Sequence, residues 1–288
     1  MKKVTVSNKE LLEKIQLSIK NKTPLSYIRI GDGEIQLLKL PKHCQIDMES
    51  EIRESALTSV FRRYNQTYTP TAHLDSSFLK KWQKIVIDAI NTSDYLGIFS
   101  YQEIIELRGA GFLEMDDRYV PNKFVLEHYN FDFDKLKTCS PLFNRFPALG
   151  IIENFKKLIG NERITIMTDM TEELKVNKKF KKYLGDQVDF ISVKHTHATA
   201  TDKTFYQRDY LRSHFKDIKS HVVLYCLGGA GKDLCNELKN DWGKCAIDMG
   251  SVMDAWAGSI SRPSYLEGWS HCVSVPLSEA PHKMTGIL

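Results

Sequence analysis

"VVLYCLGGAGKDLCNELKNDWGKCAIDMG", residues 222–250, decides how the rest of the chain is read. Val222 to Leu227 is an apolar run of strand length, of the kind found in a strand covered on both faces. It breaks on Gly228, Gly229 and Gly231, and a polar segment of helix length follows from Lys232. Gly243 stands where that helix ends, as a C-terminal cap glycine would. Cys245 to Met249 then forms a second short apolar run. Strand, glycine turn, helix and strand together predict a parallel strand pair joined by a crossover helix.

The same alternation extends outward. Ile164 to Met167 and Val188 to Val193 read as further strands, and Gly185 sits where the helix between them ends. Nearer the amino terminus, Ser7-Asn8-Lys9-Glu10 has capping-box spacing ahead of Leu11, Leu12, Ile15 and Ile19, which predicts a first helix. Leu25 to Ile30 reads as a strand followed by a helix start from Ile35 to Leu40, which Pro41 ends. Met48 to Tyr64 looks helical, and Phe78, Leu79, Trp82, Ile85, Val86, Ala89 and Ile90 form a stripe behind a Ser76-Ser77 cap signal. Tyr95 to Ser100 is a short strand. Residues 101–150 read as a loop-rich or helical insertion, and 259–288 as an irregular C-terminal tail. The expectation is one domain over residues 1–288 of α/β class, a Rossmann-like, mostly parallel sheet with helices on both faces.

Composition narrows the class. With 42% apolar and 26% charged residues the chain is globular, and a net charge of +4 gives no call for nucleic acid. Its six cysteines form no C-x-x-C pair, and Met1-Lys2-Lys3 precedes no secretory apolar stretch. The expectation is a cytoplasmic protein with reduced thiols. No apolar run approaches the ~20 residues of a membrane-spanning helix, so any membrane association is peripheral, at the inner face. Lys175, Lys178, Lys179, Lys181 and Lys182 read as a solvated helix face over Phe180 and Leu184, with anionic lipid as the sharper alternative.

Four stretches could carry chemistry. Arg29-Ile30-Gly31-Asp32-Gly33-Glu34 places two carboxylates two residues apart on a glycine turn. Hard oxygen donors so spaced can hold magnesium or manganese against a diphosphate, or else cap and complement a helix. The second stretch, Gly228-Gly229-Ala230-Gly231-Lys232, offers backbone N–H groups and a point charge to a phosphate at the carboxyl end of a strand. It lacks the Walker pattern, since Cys226 takes the first glycine position and Asp233 the Ser/Thr position. Third, Asp248 ends the following strand as a candidate base, with Ser251 and Asp254 just beyond. Fourth, His195-Thr196-His197 follows a strand and fits hydrogen bonding or proton transfer better than zinc, because no second His or Cys cluster is near.

Arg29-Ile30-Gly31-Asp32-Gly33-Glu34 resembles the R-F-G-D-G-E stretch, with its D-x-E metal motif, of the GT-D fold glycosyltransferases, a bacterial family. The run from Leu224 through Gly250 is similar to the same family at the matching distance, so the resemblance spans nearly the whole chain. It implies that Asp32 and Glu34 engage a divalent cation, manganese or magnesium, on the diphosphate of a nucleotide sugar, most often a UDP-sugar. Arg29, Gly31, Gly33, Gly228 to Lys232 and Ser251 would line that cleft. Ile30 replaces the usual aromatic, Gly229-Ala230 stands in place of a Pro-Thr pair, and Ser251 stands where a His is common.

The reading is therefore a metal-dependent glycosyltransferase acting on a glycan, lipid-linked or protein-linked acceptor, in surface-polysaccharide or glycoprotein assembly. If transfer inverts the anomeric centre, Asp248 leads as base, with His195, His197 and Asp254 behind it. Two other classes stay open: a metal-dependent phosphohydrolase or phosphotransferase, and a non-catalytic nucleotide-binding Rossmann-like module. Acceptor, stereochemistry and oligomeric state are not encoded in any motif.

Overall fold

The computed structural model describes residues 5–31, Glu34, Leu38, 76–98, 131, 135–141, 143–193 and 205–258, with positions 76–80 and 230 described by their backbone. The helices expected over 35–40 and 48–64, most of the 101–150 insertion and the 259–288 tail lie outside the described residues.

Seven strands form one sheet, and every pair in it is parallel. They are β1 (Leu25–Arg29), β2 (Tyr95–Gly97), β3 (Thr138–Cys139), β4 (Ile164–Thr168), β5 (Val188–Ser192), β6 (Val222–Cys226) and β7 (Cys245–Asp248). Their order is β3-β2-β1-β7-β6-β4-β5. Every expected strand is present, each within three residues of its reading. β3 lies within the middle segment read as loop-rich or helical. Two residues give no periodicity, and β3 exists because β2 and Thr5 hold it from either side. Leu96 N–H donates to Lys137 O at 2.9 Å, while Thr5 and Thr138 exchange side-chain and backbone bonds.

Alternate residues of the strands feed two cores. One face carries Ile28, Val223, Tyr225 and Ala246 against helices α2 (Ser76–Thr92), α7 (Arg208–Ser213) and α8 (Lys232–Trp242). The opposite face carries Tyr27, Ile166, Leu224 and Ile247. There they meet α1 (Asn8–Asn21), α3 (Pro147–Gly150), α4 (Ile152–Ile159), α5 (Thr171–Val176), α6 (Lys178–Leu184) and α9 (Val252–Ala257). The capping box at Ser7 and Glu10 is formed, with Ser7 N–H donating to Glu10 Oε2 at 2.8 Å.

Helices of six or seven residues such as α5, α6 and α9 are too short to hold themselves in water. Their docked side chains hold them instead, at about 1.5–3 kcal/mol for each large apolar group buried. Phe180 and Trp256 are among these, and Trp256 Nε1 also donates to Gly150 O at 2.6 Å. Phe180 and Leu184 are buried beneath the lysine face, as the sequence suggests. Gly243 is a left-handed cap, whereas Gly185 caps α6 in right-handed geometry because the chain continues directly into a tighter helical turn. α7 is braced on α8 by Arg208–Asp233 and Arg212–Glu237, with N–O distances of 2.9 and 2.8 Å.

The connections choose where a cleft can open. After β1 and β6 the chain passes to the face of α2 and α8; after β7 it passes to the opposite face through α9. β7 lies between β1 and β6, so the exits diverge around its carboxyl end. In open parallel sheets a ligand crevice forms where neighbouring exits diverge in this way.

Candidate functional site

Three chain segments, one from near the amino terminus and two from the β6–α8–β7 unit, end beside one another there. The first leaves β1. Its Gly31 N–H donates to Glu34 Oε2 at 2.9 Å, which folds the turn back and buries Glu34 at 6% exposure. The second leaves β6. Gly228 has φ +68° and ψ −165°, a conformation that suits glycine, and Gly229 to Gly231 form one tight turn before α8. A side chain at Gly229 would meet Trp82 Nε1 at 2.9 Å and Glu34 Cγ at 3.3 Å. The glycine turn is thus pressed directly onto the acidic turn, with the Trp82 indole of α2 beneath.

The third segment leaves β7 at Asp248, which is 1% exposed. Its Oδ2 accepts the backbone N–H of Arg29 at 3.1 Å, and its Oδ1 accepts that of Gly250 at 3.0 Å. Asp248 therefore ties β1 to the turn beyond β7. It also pairs with Lys232 Nζ, whose second carboxylate neighbour is Glu34 Oε1 at 3.6 Å. The Arg29 guanidinium lies over Gly250, where φ is +48° and a Cβ would come within 2.5 Å of Nη1.

Among the described residues, Lys232 thus stands with Asp248, Glu34 and Arg29 at the centre of the site. Burial alone would push the Lys232 pKa down; Asp248 and then Glu34 outweigh it and hold the ammonium above its ordinary value. Burial, reinforced by Asp254, Asp169 and Asp248, pushes the Cys226 thiol well up, so it is not a thiolate nucleophile here. Its Sγ instead faces Gly250 O at 3.0 Å.

Of the residues singled out from sequence, Arg29, Gly31, Glu34, Gly229, Lys232 and Asp248 are brought together, with Gly228 and Gly231 completing the turn. Ala230 is in the same turn by its backbone. Ser251 and Asp254 are half-buried at the start of α9, and Asp254 is electrostatically close to Cys226. Asp32, Gly33, His195 and His197 lie outside the described residues. Asp169, directly after β4, also acts on Cys226 and is an addition to the residues the motifs single out. Its signal was an acid at the carboxyl end of an apolar run, the same placement that marked Asp248. In the sequence Trp82 is one member of an apolar stripe, with nothing local to mark its place beside the glycine turn.

Glu34 supplies the hard carboxylate oxygen that magnesium or manganese prefers, beside the buried Lys232–Asp248 pair. Among the described residues no three His, Cys, Asp or Glu side chains converge as a metal cluster. A cation at Glu34 would take its other ligands from Asp32, a diphosphate or water. Also among the described residues, no helix is long and apolar enough to cross a membrane.

A family model described as a GT-D fold-like domain matches residues 6–256. No curated protein and no solved structure matches the chain. The match runs from the cap of α1 to α9 and takes in all seven strands and the three converging turns, so the chain belongs to the GT-D-like family.

Proposed function

We propose that this chain is a metal-dependent glycosyltransferase that moves a sugar from a nucleotide sugar, a UDP-sugar first among them, to a glycan or glycoconjugate acceptor. The observation that carries the reading is the packing of the Gly228–Gly231 turn against Glu34 beyond the carboxyl ends of β6 and β1, the two parallel strands that flank β7. A phosphate-binding turn and an acidic turn in contact suit a diphosphate with its cation. The family's fold agrees.

In this reading Asp32 and Glu34 would hold magnesium or manganese, which would supply Lewis-acid stabilisation to a departing nucleoside diphosphate. The N–H groups of the glycine turn, at the start of the 11-residue α8, receive phosphate oxygens. Arg29 adds positive charge from the β1 side. If the reaction inverts, a base must take the acceptor's proton. Asp248, with both oxygens engaged by Arg29, Gly250 and Lys232, is suited to anchoring the cleft. Asp254, half-buried and electrostatically close to Cys226, is the described alternative for the base, and His195 and His197 are the candidates that the sequence adds. The work would be done in the cytoplasm or at the inner membrane face.

The test is a thermal-shift titration with a panel of nucleotide sugars, with and without manganese, on wild type and Asp32→Ala. A donor at a hundredfold excess over its Kd stabilises by about 2.7 kcal/mol. The expectation is stabilisation by UDP and its sugars that requires manganese and is lost in Asp32→Ala. Stabilisation indifferent to manganese and retained in Glu34→Gln would point to a non-catalytic nucleotide module, and steady phosphate release to a phosphohydrolase.

A further inference from the structure

Lys232 opens α8, a position from which a lysine can reach outward to an anion at the mouth of the turn. It does the opposite: at 5% exposure its ammonium is turned inward between two carboxylates. The contacts with the two differ in kind. Asp248 is an ion-pair and hydrogen-bond partner, fixed in turn by the N–H groups of Arg29 and Gly250. Glu34 Oε1, at 3.6 Å, is beyond hydrogen-bond range yet within strong Coulomb range in a buried setting. Glu34 sits on the turn that carries Asp32, and its position is shared with the glycine turn that carries Lys232.

We propose that Lys232 is a tethered counter-ion that competes with the divalent cation for Glu34, with Asp248 as the place that keeps the ammonium from pairing fully with Glu34. Lys232 is then a positioning residue of the donor site. A like charge beside Glu34 holds affinity for the metal alone low. The negative diphosphate offsets that repulsion, so cation and nucleotide enter together. Removing the ammonium tightens metal binding. Removing Asp248's charge frees the ammonium to pair with Glu34, and metal binding weakens. This rests on the donor-site reading above, and the opposite signs of the two changes separate it from a general loss of structure.

The probe is Mn2+ alone, titrated against the full chain by the paramagnetic resonance signal of the free ion, with and without UDP. Circular dichroism and thermal unfolding check each variant's fold. Lys232→Met is expected to bind Mn2+ about tenfold or more tightly than wild type, with UDP adding less to that affinity than it does in wild type. Asp248→Asn, nearly isosteric and still carrying the lysine, is expected to bind Mn2+ several-fold more weakly, and it serves as the test if Lys232→Met does not fold. Equal Mn2+ affinity in all three chains, or a change of the same sign in both variants, overturns the inference while leaving the donor-site reading standing. No Mn2+ binding by any of the three, with UDP or without it, overturns both.

Discussion

Gly250→Ala gives the sharpest test of the cleft's packing, because it adds one methyl group at a place where two costs can be separated. Alanine at φ +48° would occupy the left-handed region, at roughly 1–2 kcal/mol. The new Cβ would also stand 2.5 Å from Arg29 Nη1, 3.2 Å from Cζ and 3.5 Å from Nη2. Ordinary contact begins near 3.4 Å, so the guanidinium must retreat by about 0.9 Å. Overpacking of that order costs about 1–3 kcal/mol. The sum is about 2–5 kcal/mol, a large share of the 5–15 kcal/mol by which a protein is usually stable, yet compatible with folding. Urea unfolding of wild type, Gly250→Ala, Arg29→Ala and the double variant forms a cycle that isolates the steric part. With Arg29 truncated, the three atoms nearest the methyl group are gone, and the backbone cost should dominate what remains. The double variant should therefore be about 1–3 kcal/mol more stable than the two single losses predict. Strict additivity would refute the claim that the Arg29 side chain rests on Gly250.

Two further expectations reach beyond the cleft. Asn236 Nδ2 donates to Ala89 O at 2.7 Å and Thr92 Oγ1 at 2.8 Å, so Asn236→Ala should cost about 1–3 kcal/mol in chemical unfolding by loosening α8 from α2; a loss below about 0.5 kcal/mol would show that these bonds contribute little. Burial, and secondarily Lys22, lowers the pKa of His221 below the ordinary value near 6.5, so the unfolded chain takes up this proton first. The His221 contribution to stability should be complete above about pH 6.5 and be lost as pH falls through the lower folded value. His221→Gln should flatten that slope in unfolding midpoints measured between pH 7 and 5, and an unchanged slope would assign it to other groups.

How much of this was legible from sequence depends on the range of the interaction. Val222–Cys226 could be read because a parallel strand covered on both faces favours a near-continuous apolar run, and Ile164–Thr168 because its β-branched residues keep strand character although Thr165 interrupts the run. The Ser7 capping box and the Gly243 cap could be read because their partners lie within a few residues. β3 could not: Thr138–Cys139 is held by residues as far away as Thr5, and its own two residues form no pattern. Gly185 marked the right boundary, but its conformation could not be read, since that depends on what the chain does next.

In the cleft, both glycine-flanked motifs were visible, and their residue types suggested phosphate and cation chemistry. That the two motifs touch, that Trp82 lies beneath them, and that Lys232 faces inward depend on the order in which seven strands were laid side by side. No local window contains that order. Asp248 shows the limit well. Its place at the end of a strand was readable, but its three partners are set by β1, α8 and the turn after β7.

The pairing of β1 with β7 also bears on how the protein comes into being. Leu25 stands opposite Cys245, and the bond from Arg29 to Asp248 spans 219 positions. Closing so long a loop is slow, and its entropy must be met before the contact returns anything. During synthesis, β1 waits until almost all of the matched region has been made before its inner neighbour exists. Until then its inner edge of N–H and C=O groups lacks the strand that finally covers it. The cleft is thus among the last parts of the molecule to form, and a fragment carrying either glycine motif alone would contain half of a site that only chain closure completes.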